Sequence, residues 1–303
     1  MFFKIGRHIP SYCHRFADIH DYGGAFVKVF SRSYTTIGGT APIQPELVFE
    51  HQPSEFEGIV VARFNALHNR NAFSRLMMRM LNDELDKLYV DSKARVLILR
   101  SEIPGVFCAG ADLKERLAMP NAEVERFVGG LRALMTKLAE VPIPTIAAID
   151  GAAFGGGLEM ALACDIRVAS PTSTIGLVET RLGIIPGAGG TQRLARVVGA
   201  AKAKELIFMG ARINGDEAAR IGLINHVDDD PFGKALDISR EILKAGPLAV
   251  RAAKMAVDRG VEVDLQNGLA FEQQGYAQVI WTKDRQEGMK AFVEKREPVF
   301  IGE

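Results

Sequence analysis

Apolar positions along the chain alternate between two spacings. The run 58–64 (GIVVARF) is short and β-branched and predicts a strand. Over 71–90, Phe73, Leu76, Met77, Met80, Leu81, Leu85 and Leu88 recur at helical spacing. RVLILR at 95–100 predicts another strand, and 122–140 a helix that must stop before Pro142. A strand at 145–149, a helix at 158–164 and a strand at 166–169 follow. Strands separated by helices pair in parallel, so the body is expected to be α/β. After residue 200 the pattern turns helical, over 200–209, 216–221, 231–243, 247–259, 264–282 and 285–294. Only LINHV, at 223–227, interrupts it as a strand. No fixed-period repeat and no low-complexity linker appears, which predicts an α/β body with a helical C-terminal region.

Composition narrows the class. Of 303 residues, 48% are apolar and 24% charged, with 37 basic against 37 acidic side chains. That excludes a disordered chain, and a zero net charge argues against a general nucleic-acid binder. The balance is uneven along the chain, however. Residues 1–40 hold Lys4, Arg7, Arg15, Lys28 and Arg32 against Asp18 and Asp21, a net +3, so the remainder is mildly acidic. An Arg-bearing, acid-poor N-terminus with SRSYTT near its end predicts a mitochondrial transit peptide over 1–34. Cys13, Cys108 and Cys164 are few and far apart, so they predict neither disulfides nor a metal cluster, and the six histidines offer no zinc spacing. The most apolar stretch, 145–163, carries Asp150, Glu159 and several glycines, which does not suit a membrane span of ~20 apolar residues.

Candidate chemistry lies between 105 and 190. Gly155, Gly156 and Gly157 separate a strand from a helix, where free amides and the helix dipole favour negative charge. CAGAD, at 108–112, is a second turn of small residues after a neighbouring strand. Two such turns can aim two N–H groups at one oxygen, the layout of an oxyanion hole. Glu159 and Glu179 both sit among small and apolar residues. Burial and mutual repulsion would leave one protonated and the other ionised. IIPGAGGT, at 184–191, lacks the Lys-Ser/Thr ending of a phosphate loop.

These segments carry a resemblance. FCAGADLKE, AAIDGAAFGGGLEMALACDIRVAS, GLVETRLGIIPGAGGTQRLARVVG and DRQEGMKAFVEKR together resemble the crotonase, or enoyl-CoA hydratase, superfamily over 46–303. The likeness is strongest to its mitochondrial methylglutaconyl-CoA hydratase branch, also described as AU-rich-element RNA-binding, and to enoyl-CoA hydratase domain-containing proteins. It implies a spiral of ββα units over 46–243 and a helical oligomerisation region over 244–303, forming a trimer or a hexamer of two stacked trimers. It implies addition of water across the 2,3 double bond of a 2-enoyl-CoA in the mitochondrial matrix. The substrate would be 3-methylglutaconyl-CoA or a short-chain thioester, in leucine or fatty-acid breakdown. Coenzyme A enters as part of the substrate, and no separate cofactor or metal is expected.

The resemblance also assigns residues. The oxyanion amides fall on Ala111 and Gly156, the acid/base pair on Glu159 and Glu179, and a water-placing backbone on Gly187. Family members that isomerise double bonds often keep one glutamate; both are present here. CoA contacts fall on Lys114, Phe292 and Lys295, the last two often reaching a neighbouring subunit's site. The 65–68 segment, Asn65-Ala66-Leu67-His68, departs from the family's adenine loop. Arg181, two residues past Glu179, is a candidate for a second substrate carboxylate. RNA binding would use the basic residues Arg70, Arg75 and Arg79, but Asp83, Glu84 and Asp86 reverse the sign further along.

Overall fold

The central strands are apolar on consecutive positions because both of their faces are covered. In the computed structural model, which describes residues 45–303, Ile59, Val61, Val96, Ile98, Ile146, Ala148 and Val168 point to one side. Their neighbours Val60, Ala62, Leu97, Leu99, Ala147, Ile149 and Ala169 point into the larger core on the other. All these residues lie in one unit, Gln44–Glu303. The expected 1–34 leader lies outside the described residues.

The elements run as follows. β1 (Leu47–His51) pairs antiparallel with β2 (Ile59–Phe64), and α1 (Arg75–Tyr89) leads to β3 (Val96–Ser101). Then come β4 (Val106–Cys108), α2 (Leu113–Leu117), α3 (Asn121–Ala139), β5 (Thr145–Ile149), β6 (Ala152–Phe154) and α4 (Gly156–Ala163). Next are β7 (Ile166–Ala169), β8 (Thr174–Gly176), a short 3-10 turn (Glu179–Leu182), α5 (Gly190–Val198) and α6 (Ala200–Met209). The chain ends with β9 (Ile213–Asn214), α7 (Gly215–Arg220), β10 (His226–Val227), α8 (Pro231–Leu243), α9 (Pro247–Gly260), α10 (Leu265–Val279) and α11 (Lys283–Glu294).

Two sheets result. One has the order β1-β2-β3-β5-β7-β10, the other β4-β6-β8-β9. β2, β3, β5, β7 and β10 are mutually parallel along the first, as are β4, β6 and β8 along the second. Thus β3, β5 and β7 each hand the chain to a three-residue strand of the second sheet before a helix follows. That is the expected spiral of ββα turns.

Several elements differ from the sequence expectation. β4, β6 and β8 are only three residues long, too short for a period of two to register. Helix α5 was hidden behind the glycines that precede it. The predicted strand at 223–227 shrinks to His226–Val227, because the Leu223 and Ile224 amides both turn back to the Ala218 carbonyl. Helix α1 begins at Arg75 rather than 71: Ser74 caps it, its hydroxyl accepting from the Met77 amide at 3.1 Å. Phe73 instead leaves the helix and forms a bridge beside Ala111, fully buried.

A partly buried ion pair ties the C-terminal helices to the sheet. Lys254, on α9, donates to Asp165 Oδ2 at 2.7 Å and to the Ile143 carbonyl at 3.1 Å. Asp165 also accepts from the Thr145 amide and hydroxyl at the start of β5. The carboxylate therefore has compensating donors, as a partly buried charge requires.

Candidate active site

The site grows from the strand ends of the second sheet. β4 and β6 run parallel as neighbours, so the turns after them lie side by side. Gly110, after β4, has φ +101°, and a Cβ there would stand 2.8 Å from the Phe154 carbonyl oxygen. Only glycine allows this approach. Gly155, after β6, has φ +50° and caps α4, which places the Gly156 N–H at the open helix N-terminus. A Cβ on Gly156 would lie 3.6 Å from the Ala111 nitrogen, so the two amides sit together. Neither amide donates to a protein acceptor among the described residues. Asn71 steadies the arrangement: its side chain bonds the Ala66 amide, Ser101 Oγ and the Phe107 carbonyl. It thereby ties the 65–71 loop to β4.

Glu159 lies in the first turn of α4 and is 2% exposed. Its Oε1 accepts from the Ala188 N–H at 2.7 Å and the Gly190 N–H at 2.8 Å. The loop that supplies these amides is braced from two sides: Arg132 Nε donates to the Gly187 carbonyl at 3.0 Å, and Arg193 to the Ala188 carbonyl at 3.1 Å. Burial raises the Glu159 pKa above the ordinary value, while the Gly190 and Ala188 amides and the two arginines oppose that rise.

Glu179 heads the 3-10 turn after β8 and is also buried. Its Oε2 is buried without a hydrogen-bond partner, and the residue lines the site cleft. Burial pushes its pKa to about 7, with the nearby Glu159 charge adding to the rise and Arg116 opposing it. The two carboxyl groups thus differ in kind. One accepts two amide N–H bonds that favour its anion against the rise burial causes, and the other, without such donors on Oε2, is pushed to about 7 and poised to carry a proton near neutrality.

A cleft of about 130 Å³ joins these groups. Ala111, Gly156, Glu159, Glu179 and Gly187 all line it. Its apolar wall comes from Phe127, Val128 and Leu131 of α3 and from Leu182, Ile184 and Ile185 after Glu179. None of the three expected CoA contacts lines it. Lys114 stands exposed in the first turn of α2, beside the cleft residues Leu113 and Arg116. Phe292 and Lys295 sit on the exposed end of α11, Lys295 in the left-handed conformation that caps it. Arg181 is not placed for the substrate either. Its Nε donates to the Met209 carbonyl at 2.8 Å, and Thr180 Oγ1 to the Ile207 carbonyl at 2.7 Å, so both pin the Glu179 turn to the end of α6.

Sequence reasoning missed the amides of Ala188 and Gly190, the bracing arginines and Arg116. The α3 wall was partly legible, since Phe127, Leu131, Leu134 and Leu138 recur at helical spacing. Among the described residues, no cluster of three or more His, Cys, Asp or Glu side chains could hold a metal, and no helix is long and apolar enough to cross a membrane.

The geometry agrees with what comparison finds. The family model described as enoyl-CoA hydratase/isomerase matches residues 54–303. The chain belongs to this family and is an enzyme of its CoA-thioester hydratase class. It is 52% identical to the mitochondrial methylglutaconyl-CoA hydratase of Rattus norvegicus over 280 residues, 88% of this chain and 89% of that one. It is 50% identical to the mitochondrial enoyl-CoA hydratase domain-containing protein 2 of Mus musculus over 264 residues, 85% of this chain and 89% of that one. Among solved structures, an enoyl-CoA hydratase from Bacillus anthracis matches with a TM-score of 0.83 and 42% identity. The match covers 86% of this chain and all of that one.

Proposed function

We propose that the cleft hydrates a 2-enoyl-CoA in the mitochondrial matrix, 3-methylglutaconyl-CoA or a short-chain thioester, with Glu159 as base and Glu179 as acid. The observation that carries the reading is the pair of buried carboxyl groups with opposed environments, beside two free amides. The thioester oxygen sits between the Ala111 and Gly156 N–H groups. A water lies between the two glutamates, with the Gly187 backbone helping to place it. Glu159 takes a proton from the water as its oxygen attacks C3. The double-bond pair moves toward the thioester, whose oxygen gains enolate charge held by the two amides. Glu179 then gives its proton to C2 on the same face, so addition is syn. The product is a 3-hydroxyacyl-CoA, and the reverse reaction exchanges the two roles. These steps draw only on side chains, backbone amides and water, with coenzyme A part of the substrate.

Lys114 and, from a neighbouring chain, Phe292 and Lys295 hold the CoA portion. Exposed apolar side chains on the last helices, Leu265, Trp281, Phe292 and Val293 among them, support a homotrimer, alone or stacked as a hexamer. Mitochondrial placement is supported by the names of the relatives and by the basic, acid-poor composition of residues 1–34. An RNA-binding role finds less support, because Arg75 of α1 is held by Glu115 and Glu123.

Hydration of crotonyl-CoA and of 3-methylglutaconyl-CoA, followed for the wild type and Glu159→Gln, tests the mechanism. Activity is expected in the wild type, with a loss of about 10³-fold or more in the variant. Equal rates in the two proteins would sink it.

A further inference from the structure

One cation lines the cleft, and the hydration steps leave it without a task. Arg116, on α2, is the single basic residue among the cleft-lining side chains, whose remainder are apolar residues, glycines and the two glutamates. It is half-buried; its backbone amide donates to the Asp112 carbonyl, and among the described residues its guanidinium has no ion-pair or hydrogen-bond partner. Neighbouring cations are engaged otherwise: Arg75 with Glu115 and Glu123, Arg132 and Arg193 with loop carbonyls, Arg181 with the Met209 carbonyl. A partly exposed guanidinium with no protein partner, beside an apolar wall, is free to meet an anion that enters the cleft. Glu179 lies close enough to feel its charge, yet Glu179 Oε2 remains without a partner.

We propose that Arg116 receives a second carboxylate on the acyl group, so that the cleft selects 2-enoyl-CoA thioesters of dicarboxylic acids over simple alkyl ones. The inference rests on the hydratase reading above and adds the acyl class. With the thioester oxygen on Ala111 and Gly156 and C3 beside the glutamates, the rest of the acyl chain extends past Glu179. A terminal carboxylate two carbons beyond C3 would bring a third negative charge beside Glu159 and Glu179. Burying it there requires a cation, and Arg116 offers the planar, two-pronged donor that suits a carboxylate. A plain alkyl chain would leave that guanidinium unanswered.

The test compares kcat/KM for 3-methylglutaconyl-CoA and crotonyl-CoA in the wild type, Arg116→Gln and Arg116→Lys. The ratio of the two substrates should fall by about 100-fold in Arg116→Gln, the scale of one charge-assisted hydrogen bond. Arg116→Lys should restore part of the ratio, since it keeps the charge and loses the fork. An unchanged ratio would overturn the proposal, including the case where both substrates weaken alike, which would place Arg116 on the CoA portion they share. A wild type that hydrates crotonyl-CoA but not the dicarboxylic substrate would overturn it too, while leaving the hydratase reading intact. A wild type that hydrates neither would remove that reading itself, and the inference with it.

Discussion

At the residue scale the site turns on the unequal treatment of two glutamates. Glu159 meets two N–H donors at 2.7 and 2.8 Å, whereas Glu179 keeps a buried oxygen that meets none. A pKa of about 7 for Glu179 has a kinetic consequence. The proposed mechanism requires Glu179 protonated for hydration, so kcat/KM for crotonyl-CoA should decline as pH rises through about 7, and Glu179→Gln should abolish that limb together with most of the rate. It has a thermodynamic consequence too. The folded-state value lies above the ordinary 4.5, so the folded protein binds this proton more tightly than the unfolded chain. The stability it contributes is complete below about 4.5 and is lost as pH rises through about 7. The melting temperature of Glu179→Gln relative to wild type should therefore climb between pH 5 and 8. A constant difference across that range would show that Glu179 is not held protonated.

At the element scale, the proposed oxyanion pair depends on two short strands and the glycines that end them. Gly110→Ala puts a Cβ 2.8 Å from the Phe154 oxygen on a backbone at φ +101°. The strain should cost about 1–3 kcal/mol of stability. Displacing the Ala111 amide should lower kcat about 10²–10³-fold with a smaller change in KM. Thermal melts and steady-state hydration kinetics measure both, and a variant of wild-type kcat would separate the turn from the oxyanion hole. The glycines and both glutamates were legible in the sequence because each needs a residue type that nothing else replaces. The strands β4, β6 and β8 that carry them were not, since three residues display no alternation. Nor were the amides of Ala188 and Gly190, because a backbone N–H leaves no mark in a side-chain pattern. Arg181 shows the converse error. A cation two residues past Glu179 in sequence is spent on a helix end, and Arg116, sixty-three residues before Glu179, is the one that reaches the cleft.

At the scale of the whole molecule, the single chain leaves large apolar side chains in water. Trp281 is 88% exposed and Phe292 86%. Large exposed apolar side chains of this kind support the proposed homo-oligomer. Sedimentation should report three or six chains per particle. Trp281→Asp should shift the particle toward single chains, with KM for the acyl-CoA rising about tenfold as the CoA contacts proposed for Lys295 and Phe292 of a neighbouring chain are lost. An unchanged particle would place the interface elsewhere. The sequence by itself determined the α/β class, the two glutamates, the two glycine turns and the family, because apolar spacing and irreplaceable residue types are local. Tertiary structure alone decided how the glutamates differ, which arginine faces the cleft and how the 187–190 loop is held. Those properties arise from groups far apart in the chain, brought within hydrogen-bond reach by the stacking of ββα turns.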